Sequence, residues 1–238
     1  MHKIILILIA GSLIMTACNE DSLKVHAVFV DTTGSTATLK DKNPQKIVKY
    51  INNMLNEKVR GGETIVIYPI HSRTASSAPI GEWKMPLDKG DMGDPVRRKR
   101  AIKNILADVK SILFDRSGIT GEVRLNTSLF PIFSKVKRLS NKGKVEVTIF
   151  SDMLEDNASL CFNDLFGQMG KIEIKNLALK QYDEIREEIS IVGTNIRILY
   201  PSTVVGDPHL ERIKNKVDIF WETFFSEAGA SYSFADLT

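Results

Sequence analysis

Cysteine is almost missing from this 238-residue chain, which has only Cys18 and Cys161. A disulfide-stapled scaffold is therefore excluded. Cys161 sits in Leu160-Cys161-Phe162, a setting that predicts a buried, inert thiol. Histidine is as sparse: His26, His71 and His209 do not have zinc-ligand spacing. No serine nucleophile elbow and no phosphate-binding glycine loop appear. Charge of one sign is lacking too. The net charge is +3, or about +2 without Lys3, too small to argue for a nucleic-acid partner. Apolar runs long enough to span a bilayer are also missing, since Ile4 to Met15 falls short of the roughly 20 residues required. That run follows a basic start, Met1-His2-Lys3, and precedes the small residues Thr16-Ala17. Charge, length and small-residue ending together describe a secretory signal peptide over residues 1–17.

The cysteine after it sharpens this reading. Met15-Thr16-Ala17-Cys18 resembles a bacterial lipobox, with Met15 where Leu is more common. The resemblance implies cleavage before Cys18 and an acyl lipid on its thiol. Residues 18–24 then form a lipidated tether. Asn19 after the cysteine is compatible with transfer to the outer membrane of a bacterial envelope, on either face. With Cys18 lipidated, Cys161 has no partner within the chain. The mature chain of about 220 residues suffices for one large α/β core, and its 43% apolar and 26% charged content is that of an ordinary globular domain.

The remaining residues are organised around Val25-His26-Ala27-Val28-Phe29-Val30-Asp31-Thr32-Thr33-Gly34-Ser35. An apolar β-branched run reads as a buried strand, and its polar end as the loop where open α/β sheets keep their ligand sites. Asp31, Thr33 and Ser35 alternate, so three oxygen side chains can converge on a hard cation. A helix is expected from Asn43-Pro44 to Arg60-Gly61-Gly62, with Ile47, Val48, Ile51, Met54 and Leu55 on one face. Thr64–Ile70 reads as the second strand. Residues 80–86, bounded by Pro79 and Pro86, read as a short edge strand within the irregular stretch from Ser72 to Pro95. That stretch is a candidate for setting specificity. Asp94-Pro95 opens a helix with the stripe Val96, Ile102, Ile105, Leu106, Val109 and Leu113. Its cluster Arg97–Arg100 reads as a solvated face, with contact to anionic lipid or an acidic partner as the alternative. Leu129, Ile132, Phe133, Val136 and Leu139 mark another helix, and Lys144–Phe150 a strong strand ending in Ser151-Asp152. A helix is expected over 172–188, with Leu177, Leu179, Ile185 and the following Ile189 apolar, and 194–200 is the fifth strand. Pro208 opens the last helix, with Phe220, Trp221, Phe224 and Phe225 directed into the core. Residues 231–234 alternate as a final strand.

These pieces together resemble a von Willebrand factor A-type domain over residues 25–238. That family carries a metal-ion-dependent adhesion site built from Asp-x-Ser-x-Ser, a separate Thr and a later Asp. Asp31-Thr32-Thr33-Gly34-Ser35 matches the first motif, with Thr33 replacing the first Ser. Thr127 matches the separate Thr and Asp152 the later Asp. The resemblance implies a three-layer α/β/α, doubly wound, mostly parallel six-stranded sheet with one antiparallel edge strand. It places the first and fourth strands side by side. It implies a Mg²⁺ site, or one for Mn²⁺ or Ca²⁺, in which Ser35, Thr33 and Thr127 bind directly and Asp31 and Asp152 directly or through water. One coordination position would take a carboxylate from a protein partner, and the chain itself would not be an enzyme.

Two further readings stand beside it. Asp31–Ser35 also resembles the phosphorylation motif of haloacid-dehalogenase-type phosphohydrolases, with Asp31 as nucleophile and Mg²⁺ as cofactor. Thr33 stands where their phosphatases have a second Asp, and no Lys clearly binds phosphate. An aspartic protease fits less well, because its Asp-Thr-Gly lacks the extra Thr and its fold is all-β. The third reading is a metal-free scaffold of the same fold in an envelope complex.

Overall fold

The apolar run Lys24–Asp31 forms strand β1 in the computed structural model, which describes residues 23–33, 43–114, 126–157, 160–201 and 208–237. Every β1 residue after Lys24 is buried, because neighbours flank it on both edges and helices cover it on both faces. In chain order the elements that follow are α1 (Asn43–Glu57), β2 (Thr64–Ile70), β3 (Gly81–Lys84), α2 (Asp94–Phe114), α3 (Pro131–Ser140) and β4 (Lys144–Phe150). Then come α4 (Phe162–Phe166), α5 (Lys171–Ile185), β5 (Asn195–Tyr200), α6 (Pro208–Glu227) and β6 (Ser231–Asp236).

The six strands lie in the order β3-β2-β1-β4-β5-β6. β3 pairs antiparallel with β2, and every other pairing is parallel. The expected doubly wound sheet with one antiparallel edge is therefore present, with β1 and β4 adjacent. Parallel register Val30↔Phe150 brings their C-terminal ends level.

Alternation along the strands divides the core. Val25, Ala27 and Phe29 point toward α3, α4, α5 and α6, together with Val145, Val147 and Ile149. Val28 and Val30 point the other way, toward α1 and α2. Phe220, Trp221, Phe224 and Phe225 are fully buried in the first of these layers, as their helical spacing predicts. The second layer is narrower. Asn195 and Arg197 on β5 and their register partners Ser231 and Ser233 on β6 are exposed, which accounts for the polar alternation of both strands.

Two expected core positions are not in the core. Val96 and Leu179 carry the right spacing on α2 and α5, yet both are exposed. Helical period fixes a stripe but not how much of it the sheet covers, and these residues fall at its margins. Cys161 is half-buried, and burial pushes its thiol up, as suits an unreactive group. His26 is buried at the N-terminal end of β1, with Nε2 2.9 Å from Glu63 and Nδ1 3.5 Å from Glu146. It is a structural residue, remote from the C-terminal strand ends. At that same N-terminal end Gly143 has φ +153, and any Cβ there would collide with the Leu23 carbonyl.

Candidate metal centre

Asp31 ends β1 beside β4, where the connections diverge, from β1 toward β2 on one side and from β4 toward β5 on the other. Ligand crevices of open α/β sheets form at such switch points. The β1–β2 ladder continues one residue further, because Thr32 donates both its amide and its hydroxyl to Ile70 O, each at 3.0 Å. This fixes the direction in which the next residue leaves. Thr33 then turns back on Asp31: its amide reaches Asp31 Oδ1 at 3.0 Å and its hydroxyl reaches the same oxygen at 2.7 Å. The turn is the i to i+2 closure that Asp favours.

Thr127 arrives from a distant part of the chain. A two-way backbone bridge to Asp156, at 2.9 and 3.0 Å, holds it. Its hydroxyl donates to Thr33 Oγ1 at 3.2 Å. The loop after β4 supplies the other wall. Ser151 donates its hydroxyl to Asp31 Oδ2 at 2.8 Å. Asp152 follows, half-buried, its Oδ1 accepting the Leu154 amide at 3.1 Å. The structure thus joins Asp31, Thr33 and Thr127 directly and places Asp152 within their electrostatic reach. Ser35, and the lipidation position Cys18, lie outside the described residues.

Burial, and secondly the charge of Asp31, push the Asp152 carboxyl up to about 7. Two neighbouring carboxylates, one of them fully buried, resist ionising together, and a cation or a proton relieves them. Two carboxylates and several hydroxyls form an all-oxygen donor set of the kind hard divalent cations take. Among the described residues no group of three or more His, Cys, Asp or Glu side chains gathers. A site made mainly of hydroxyls is of a different composition. The donor set fits Mg²⁺, and Asp31, Thr33, Thr127 and Asp152 are the residues that would hold it. Such an ion would supply a Lewis-acidic centre for an incoming anionic oxygen.

Sequence reasoning missed two supporting residues. Ser151 read only as the neighbour of Asp152, whereas its oxygen orients Asp31 and also accepts the Met153 amide at 3.0 Å. Glu155 is fully buried, and burial raises its carboxyl to about 8. It accepts the Leu129 amide at 2.7 Å and the Asn157 side-chain amide, tying the Thr127 segment to the β4 loop. No sequence signal set Glu155 apart, because it opens the polar run Glu155-Asp156-Asn157. Met153 holds a left-handed conformation at φ +60, which is unusual for a residue with a side chain. Trp221 of α6 donates its indole N–H to Met153 O at 2.9 Å and pins the turn that aims Asp152.

On the rim, the stretch from Ser72 to Pro95 is more ordered than its composition predicts. Thr74 closes a turn onto His71, with its hydroxyl donating to His71 O at 2.6 Å. Buried Lys135 donates to Ser77 O at 2.6 Å and lies 4.7 Å from the centre of the Tyr68 ring. Burial holds its ammonium below the usual lysine range.

No family model matches the chain, and no curated protein does. Among solved structures it is similar to human COPII-coat protein Sec24c, at 9% identity and TM-score 0.49, over 92% of this chain and 30% of that one. It is also similar to proximal thread matrix protein 1 from the mussel byssus, at 10% identity and TM-score 0.41, over 91% of this chain and 42% of that one. A second crystal structure of the byssus protein aligns at 11% identity and TM-score 0.37, over 87% and 47%. The chain spans less than half the length of each.

Proposed function

We propose that this is a lipid-anchored protein of the bacterial envelope that binds a protein partner through a divalent-cation site of the metal-ion-dependent adhesion type. The supporting observation is the convergence of Asp31, Thr33 and Thr127 with Ser151 and Asp152 at the β1–β4 switch point. Mg²⁺ is the favoured ion, with Mn²⁺ and Ca²⁺ as alternatives of the same hard-oxygen chemistry. A partner carboxylate would complete the coordination shell, so partner binding would require the cation. The lipid on Cys18 would hold the chain at a membrane, the outer one by the Asn19 criterion.

The chain does no covalent chemistry in this reading. Asp31 has one oxygen engaged by Thr33 and the other by Ser151, and this cage suits a held ligand better than a nucleophile that must reach phosphorus. The mutual satisfaction of these groups also supports the metal-free scaffold, in which the hydroxyls only tie strand ends together.

Thermal unfolding with and without millimolar Mg²⁺, beside turnover of a generic phosphomonoester, separates the three. A Mg²⁺-dependent rise in Tm with no turnover is expected. No rise in Tm at any cation concentration leaves the scaffold, and turnover abolished by Asp31→Ala installs the phosphohydrolase.

A further inference from the structure

Four of the large apolar side chains that the fold leaves exposed gather at the end of the sheet opposite the candidate metal centre. Leu23 is 49% exposed, Leu87 59%, Met92 98% and Val96 61%. Leu23 precedes β1, and Leu87 follows β3, whose Lys84 pairs with Thr64 at the start of β2. The two leucines converge on Gly62: a Cβ there would lie 2.8 Å from Leu87 Cδ2 and 3.3 Å from Leu23 Cδ2. The first turns of α2 join the same end. Arg98 donates to Leu55 O at 2.7 Å and to Val59 O at 2.6 Å, seating α2 against the C-terminus of α1. Arg97 binds Asp91 and Asp94, which fixes the loop that carries Met92 beside Val96.

The same surface is basic. Lys58, Arg60, Lys84, Lys89, Lys99 and Arg100 are all exposed on the segments that meet here. Arg97 offsets one of the two charges of Asp91 and Asp94, and Asp88 and Glu57 are exposed acids nearby, so the six cations still outnumber the three acids left uncompensated. Exposed apolar side chains ringed by Lys and Arg are the composition that binds an anionic bilayer, by shallow apolar insertion together with attraction to the headgroups. The path of the chain points to the same occupant. Only four residues separate Cys18 from Leu23, and the five steps between them reach at most about 17 Å when fully extended. A lipid on Cys18 would hold this end, and no other, against the membrane.

We infer that the surface formed by Leu23, Leu87, Met92 and Val96 with their surrounding cations docks on an anionic lipid bilayer and fixes the domain with its candidate metal centre facing away from the membrane. This rests on the lipid anchor proposed above. β1 alone separates the two ends by about 26 Å, so the partner site would stand clear of the headgroups.

The test places the mature chain lipidated on Cys18 in vesicles of phosphatidylethanolamine and phosphatidylglycerol, or of phosphatidylcholine alone, and follows amide hydrogen exchange. Exchange over residues 86–98 is expected to slow several-fold in the anionic bilayer only. The triple variant Lys89→Glu, Lys99→Glu, Arg100→Glu should abolish that slowing without altering exchange at Asp31–Thr33. Equal exchange in both bilayers, with lipid on Cys18 verified by mass, overturns the docking surface and leaves the anchor intact. A chain without lipid on Cys18 overturns the anchor. In that case sedimentation with phosphatidylglycerol vesicles upholds the surface, and recovery in the supernatant overturns it. Protection that grows with protein concentration in the absence of any bilayer assigns the face to a second copy and also overturns the proposal.

Discussion

Thr127 carries the claim that hydroxyls, and not only carboxylates, make this site. Its oxygen touches Thr33, and its backbone is fixed by Asp156. Thr127→Val keeps the shape and removes the oxygen, so Mg²⁺ affinity should fall at least about tenfold, a loss of roughly 1.4 kcal/mol of binding. Thr127→Ser should keep most of that affinity, and titration calorimetry of both variants decides. Asp152 gives a pH signature. Its folded carboxyl titrates at about 7, above its usual 3.8, because of burial and the charge of Asp31. Between those values the folded chain keeps a proton that the unfolded chain has released. In chelator, then, this group costs nothing below about pH 4, costs progressively more as pH rises, and reaches its full cost above 7. Glu155, raised to about 8, extends the decline upward. The Tm in chelator should therefore fall from pH 5 to pH 8, and Asp152→Asn should flatten the lower part of that slope. Mg²⁺ affinity should rise through the same window as Asp152 loses its proton.

At the scale of elements, two contacts hold the site and its support in place. Trp221 on α6 fixes the left-handed Met153 turn. Trp221→Phe removes that hydrogen bond and some packing volume, and should cost about 1–3 kcal/mol in urea unfolding. It should also weaken Mg²⁺ binding, which a purely structural tryptophan would leave unchanged. Arg98 binds the Leu55 carbonyl in the last turn of α1 and the Val59 carbonyl just beyond it, so Arg98→Met should cost about 1 kcal/mol and leave Mg²⁺ binding unaffected. The sequence reveals elements where one physical signal dominates. β1, β2 and β4 are β-branched runs buried on both faces, and they stand within a residue of where the pattern places them. The five-residue α4 is too short to show a period and is not legible. Asp31, Thr33 and Asp152 stand out because an apolar strand breaks abruptly into oxygen side chains, whereas Thr127 is picked out only by the resemblance. Ser151 and Glu155 are not, because their roles exist only once Leu129 and Asp31 fold against them.

Across the whole molecule the sheet separates two chemistries. Its C-terminal edge gathers oxygens at the β1–β4 junction, and its N-terminal end gathers cations and exposed leucines around Gly62. Among the described residues no helix is long and apolar enough to cross a membrane. Parallel pairing of β1 with β4 makes the arrangement possible, since it brings Asp31 and Ser151 together across 120 residues of chain. The central claim is that this junction holds a divalent cation. Isothermal titration of the purified chain with Mg²⁺ at pH 8, beside Asp31→Ala, tests it most directly. The expected result is saturable heat with one ion per chain in the wild type and none in the variant. An absence of heat in both, or equal binding in both, would contradict the claim.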